Sequence, residues 1–95
     1  PLVPMLSFKS FNEVIERANN HDLGLCSYVC TKSMETAHLA SEQLETGSVA
    51  VNTGVVAIAE APFGGIKQSG YGREGGSNAI KDYLNVKYTH LGIKG

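Results

Sequence analysis

The sequence predicts an α/β fold, an incomplete parallel βαβαβ unit. Short apolar runs alternate with segments of helical spacing, the order that builds crossover connections between parallel strands. Both helical segments also open on a serine placed to cap them. Three strands and two helices leave a parallel sheet partly bare, whereas such sheets are almost always covered on both faces. The unit therefore reads as the end of a larger α/β domain.

The first element is Leu2–Phe8 (LVPMLSF), short and apolar like a buried strand, with Pro4 marking an edge or irregularity. Ser10–Glu13 (SFNE) has the capping-box pattern, in which hydroxyl and carboxylate satisfy free backbone donors of the first turn. Phe11, Val14, Ile15 and Ala18 follow on one helical face, and Asn19–Gly24 stops the helix. Leu25–Cys30 (LCSYVC) is the second strand. Ser33 caps a second helix that carries Met34, Ala37, Ala40 and Leu44 toward the core, with Gly47 as its left-handed terminus. Ser48–Asn52 (SVAVN) is the third strand. Thr53–Gly72 has no regular pattern, and a loop of about twenty residues is uncommon unless it is functional or disordered. Its apolar residues and few charges favour function. A short helix over Ser77–Leu84 and a closing strand over Asn85–Ile93 complete the order.

Composition narrows the function classes. With 42% apolar residues in 95, the chain is globular rather than disordered. A net charge of −1 gives no electrostatic footprint for nucleic acid or an anionic membrane. No apolar stretch is long enough to span a bilayer, and no signal peptide opens the chain. A start at Pro1 rather than Met favours a fragment over a complete product. Cys26 and Cys30 make no disulfide framework, and together with the lack of an export signal they point to a cytoplasmic protein. Their spacing suits neither zinc nor a thioredoxin-type site, so no metal is expected.

Gly70, Gly72 and Gly75 spell G-x-G-x-x-G, the spacing of a dinucleotide loop. That loop needs a buried strand before it and a ribose-binding acid roughly 20 residues later. Pro62 and the Gly64–Gly65 pair precede it instead, and the acidic position falls at Lys94–Gly95. The match is accidental by context. The Walker spacing that would give Lys67 a phosphate role is absent as well.

Four stretches carry a specific resemblance: VNTG (Val51–Gly54), APFGGIKQSGYGREGG (Ala61–Gly76), IKDYLNVKY (Ile80–Tyr88) and EVIERANNHDLGL (Glu13–Leu25). Together they resemble the C-terminal end of aldehyde dehydrogenases, and among their branches the succinate-semialdehyde dehydrogenases. The resemblance implies oxidation of an aldehyde to its acid, with NAD or NADP held by an upstream Rossmann-like domain outside this sequence. Nucleophile, general base and oxyanion-hole asparagine also lie upstream, so this chain alone is expected to be inactive. It implies that residues 1–84 belong to the catalytic domain and that 85–95 form an oligomerisation strand, in a homodimer or homotetramer.

The resemblance also assigns roles to single residues. Val55, Val56, Ala57 and Ile58 match the loop that meets the substrate tail, and Phe63 matches an aromatic of the substrate channel. Several succinate-semialdehyde dehydrogenases have a serine at the position of Ala57 that helps hold the distal carboxylate, and here that hydroxyl is missing. Glu74 matches a glutamate in a water-linked proton path; a structural ion pair is the alternative. Asn52 is implied to be a structural residue at a strand end, and Arg73 and Tyr88 are implied to serve structure and subunit interface. Lys67 and Ser69 support the loop. Two other classes remain open: a stand-alone anion-binding module built on the glycine loop, and an assembly module whose last strand is an adhesive edge.

Overall fold

The computed structural model describes residues 1–94. Its regular elements, in chain order, are α1 (Phe11–Asn19), β1 (Leu23–Gly24), β2 (Cys26–Val29), α2 (Met34–Gln43), β3 (Ser48–Val51) and β4 (Ile66–Lys67). A 3-10 turn follows at Ala79–Tyr83.

Both serine caps form. Ser10 Oγ accepts the Glu13 amide at 3.2 Å, and Ser33 Oγ accepts the Thr36 amide at 3.2 Å. The reciprocal arm of the first box lands one residue early, because Glu13 Oε2 accepts from Lys9 N at 2.8 Å rather than from Ser10. Glu13 also pairs with Arg17 one turn later, which stabilises an exposed helix by a few tenths of a kcal/mol, about 0.3–0.5.

The centre is the crossover β2–α2–β3. β2 and β3 pair in parallel with Cys26 opposite Ser48 and Val29 opposite Val51. Ala40 of α2 and Ala50 of β3 are the only buried apolar residues among those described, at 2% and 5% exposure. Small side chains there let helix and sheet approach closely. A second, antiparallel pair joins β1 to β4, with Leu23 opposite Lys67 and Gly24 opposite Ile66.

Several expectations need correcting. Leu2–Phe8 is not a strand; it runs as an exposed arm, held near its end by Arg17 donating to the Ser7 carbonyl at 2.9 Å. The sheet at the centre therefore has one parallel crossover where two were expected. Met34 is 84% exposed and does not face the core. α2 stops without a left-handed residue: Leu44, the C-cap, is extended, and Gly47 is not among the positive-φ glycines. Gly47 is needed for another reason, since a side chain there would run into the Gly64 carbonyl. The span Thr53–Gly72 is not wholly irregular, because it contains β4. The final helix is shorter than expected and has 3-10 geometry. Apart from these corrections, Asn85–Ile93, expected to pair with a second subunit, meets no strand among the described residues of this one chain, and Val86, Tyr88, Leu91 and Ile93 are all exposed.

The radius of gyration is 19.4 Å, against about 12 Å for a compact domain of this length.

Candidate functional site

From the end of β3 the chain leaves the sheet as a strap, residues 53–62, that carries the expected substrate contacts. Val55 and Ile58 are 63% and 53% exposed, Ala57 is exposed and Val56 half-buried. The strap begins at Asn52, whose φ of 56° lies in the left-handed region. Its side-chain amide accepts from Thr31 N at 2.9 Å and donates to Thr31 O at 2.8 Å. At the far end Gly76 N donates to Ala59 O at 2.9 Å. Gly75 and Gly76 have φ of 69° and 65°. A Cβ on Gly75 would lie 2.8 Å from Ala61 O, so this turn admits only glycine without displacing the strap.

Phe63 and Glu74 then face each other across an antiparallel bridge, with both backbone bonds formed at 2.7 and 2.8 Å. The structure thus brings Phe63, the expected channel aromatic, and Glu74, the expected proton-path carboxylate, to the two sides of one bridge. Phe63 is half-buried and Glu74 is exposed, and Glu74 makes no ion pair among the described residues. An ion-pair partner for Glu74 is not found among the described residues.

Inside that bridge, Arg73 folds back and donates through Nη1 to the carbonyls of Gly65 at 2.7 Å and Gly72 at 2.9 Å. Lys67 occupies a left-handed φ of 55° and reaches the opposite way. Its ammonium donates to the carbonyls of Asn19 at 2.9 Å and His21 at 3.2 Å, and pairs with Glu45. A cation at the C-terminal end of α1 is favoured by the free carbonyls there. Ser69 Oγ accepts from Gly24 N at 2.9 Å. Tyr88 is exposed, and its hydroxyl lies 3.1 Å from His90 Nδ1.

Two larger grooves lie elsewhere. One, of about 700 Å³, separates α1 and α2 over β2 and is lined by Phe11, Val14, Ile15, Cys26 and Cys30. The other, of about 790 Å³, lies beside Lys67, Tyr71 and Arg73. Neither includes Val55–Ile58 or Phe63 in its lining. Both cysteines carry free thiols. Cys26 contacts the Tyr28 hydroxyl at 3.7 Å, which pushes the ionisation of that phenol above its ordinary range.

The aldehyde dehydrogenase family model matches residues 1–89. This chain belongs to the aldehyde dehydrogenase family. A 3-sulfolactaldehyde dehydrogenase of Pseudomonas putida is 49% identical over 92 residues, covering 97% of this chain and 19% of that protein. The NADP(+) succinate-semialdehyde dehydrogenase of Saccharomyces cerevisiae is 46% identical over 92 residues, covering 97% of this chain and 18% of that protein. Among solved structures, the NAD+ complex of an aldehyde dehydrogenase from Bacillus cereus superposes with a TM-score of 0.85 at 47% identity, covering 94% of this chain and 18% of that one. The chain thus spans about a fifth of the length of the relatives it matches.

Membership of this aldehyde dehydrogenase family implies a nicotinamide dinucleotide, and the residues present do not fit one. A dinucleotide loop runs from a buried parallel strand straight into a helix whose free N–H groups meet the pyrophosphate. Here Gly70 follows the two-residue antiparallel strand β4, and the next helical residue is Ala79, opening a 3-10 turn of five residues. The glycines serve the backbone instead, Gly70 at φ 134° and Gly75 at 69°.

Sequence reasoning missed three parts of this arrangement. The fork from Asn52 to Thr31, the Lys67 clamp and the Phe63–Glu74 bridge all join residues far apart in the chain. A polar residue directly after a β-branched strand, as in Val51–Asn52–Thr53–Gly54, was the one local signal of a left-handed exit.

Proposed function

We propose that this chain is part of an NAD(P)-dependent aldehyde dehydrogenase whose substrate is an aldehyde with an acid group at its far end, succinate semialdehyde first among them. It supplies the wall that meets the substrate tail, through Val55, Val56, Ala57, Ile58 and Phe63, and contributes to subunit contact through residues 85–95. The observation that carries this reading is the set of matching relatives. Several of them are named for 3-sulfolactaldehyde, succinate semialdehyde or glutarate semialdehyde, three aldehydes that end in sulfonate or carboxylate.

The strap fits an acyl tail better than an acid group. Its exposed side chains are aliphatic, so they exclude water from a carbon chain and leave orientation to a few polar groups. Arg73 Nη1 and the Lys67 ammonium donate to backbone carbonyls within this chain. The cation that would neutralise the distal acid is proposed to come from elsewhere in the full-length enzyme. We assign the side chain of Glu74 to proton relay; its exposure beside Phe63 and its lack of an ion pair among the described residues support that reading. The full enzyme is proposed to be a cytoplasmic homodimer or homotetramer.

The test is an aldehyde panel on the full-length protein with NAD+ and NADP+ in parallel. Succinate semialdehyde, glutarate semialdehyde and 3-sulfolactaldehyde should exceed an apolar aldehyde of equal length in kcat/KM by about tenfold or more, as a paired distal charge requires. Equal values across the panel would remove the distal acid from the proposal, and no oxidation of any aldehyde would remove the activity.

A further inference from the structure

We propose that Asn52 is a positioning residue for substrate selection: its side-chain amide, locked to the backbone of Thr31, fixes the direction in which the Val55–Ile58 strap leaves the sheet. The inference rests on the proposed function, because it concerns the same strap.

Three observations meet at this residue. The regular β2–β3 ladder ends at Val29 opposite Val51, and Asn52 N still donates to Val29 O at 2.8 Å. Beyond that point the backbone swings away at φ 56°, yet the amide of Asn52 reaches Thr31 with one acceptor and one donor contact at 2.9 and 2.8 Å. An amide side chain presents the same donor–acceptor pair as a peptide group. It therefore stands in for the missing rung while the main chain departs. Asparagine is also among the few non-glycine residues that enter the left-handed region readily. One residue both turns the strap out and pins the turn to the neighbouring strand.

The strap has little else to direct it. Between Asn52 and Ala59 the polar ties of its backbone are local, Val55 N donating to Thr53 Oγ1 at 3.2 Å and Ile58 O accepting from Ala61 N at 3.3 Å. The next hold on the rest of the chain is Gly76 N donating to Ala59 O. Val55–Ile58 is thus suspended between two anchors, and a rotation at the first anchor displaces the tail-facing side chains. The chemistry at the aldehyde end is supplied by other parts of the enzyme and need not move.

Two variants of the full-length enzyme separate positioning from stability. Asn52→Gly keeps the left-handed φ and loses both side-chain bonds. Asn52→Asp keeps the shape and the bond from Thr31 N, but sets a second oxygen against the Thr31 carbonyl. Each should raise KM for succinate semialdehyde relative to KM for acetaldehyde, which has no tail, by about fivefold, the worth of roughly one hydrogen bond, with kcat changing less than KM. A merely structural asparagine would lower the melting temperature and leave that ratio at its original value, and this result would overturn the inference. If Asn52→Gly does not fold, the Asn52→Asp ratio decides. Loss of all aldehyde oxidation by the unaltered enzyme would sink the proposed function instead.

Discussion

A single methyl group at position 47 would measure how closely two backbones meet beneath the strap. The Cβ of Gly47→Ala would collide with the Gly64 carbonyl and lie 3.1 Å from the Gly65 Cα. Neither is the far end of a flexible side chain, so relief requires moving the loop itself. Overpacking of this kind costs about 1–3 kcal/mol, and the thermal midpoint of the full-length enzyme should fall accordingly. An unchanged melt would show that the loop yields freely. Position 57 tests substrate contact rather than packing. Ala57 is exposed on the strap, and Ala57→Ser adds a hydroxyl without needing new space. It should lower KM for succinate semialdehyde about fivefold, roughly 1 kcal/mol for one hydrogen bond, as steady-state kinetics would show. Equal KM values before and after would mean that this position does not read the tail. The two positions also differ in how they announce themselves. Gly47 was marked in the sequence as a glycine of consequence, but the reason inferred was a left-handed helix end. The actual reason is a neighbour seventeen residues along, Gly64, which no local pattern reveals.

Among the elements, β4 shows how a two-residue strand can hold a site together. It is tied to α1 and to the turn before β3 by one side chain, since Lys67 takes two carbonyls at the end of α1 and pairs with Glu45. The Lys67 side chain is 27% exposed and that of Glu45 54%, so the ion pair is screened and the carbonyl bonds contribute the larger share. Lys67→Met should destabilise the enzyme by about 2–3 kcal/mol, for two charged hydrogen bonds discounted for partial exposure and a weak surface pair. Denaturant unfolding would register this as a lower midpoint, and a midpoint equal to that of the parent would mean the clamp is dispensable. The contrast with the helices is instructive. α1 and α2 were legible because a cap and its partner lie three residues apart, as Ser10 does from Glu13 and Ser33 from Thr36. β2 and β3 were legible because each lies in a run of apolar or small residues bounded by glycine and polar residues. β1 and β4 were not, because two residues carry no period and their pairing spans Leu23 to Lys67. Leu2–Phe8 misled for the converse reason: apolar side chains favour burial, but a strand also needs a neighbour to take its backbone bonds.

For the molecule as a whole, the two arms decide what the fold still requires. Leu2, Val3, Met5 and Leu6 on one arm and Val86, Tyr88, Leu91 and Ile93 on the other are each more than three-quarters exposed. Apolar stretches of this length are interaction surfaces. The second arm also leaves its backbone donors and acceptors open to another sheet edge, the pattern of strand addition. Deleting residues 86–95 from the full-length enzyme should therefore break the proposed homodimer or homotetramer into smaller species. Light scattering that returned the original mass would show that this arm is not the connector. The same bare arms imply that stability and concentration are linked. If the Val86–Ile93 arm is covered by a second subunit, its covering is a binding equilibrium, and mass action shifts it. The melting temperature should then climb as the enzyme is concentrated and drop on dilution, with dissociation and loss of helical signal arriving together, so that dilution alone would act as a denaturant.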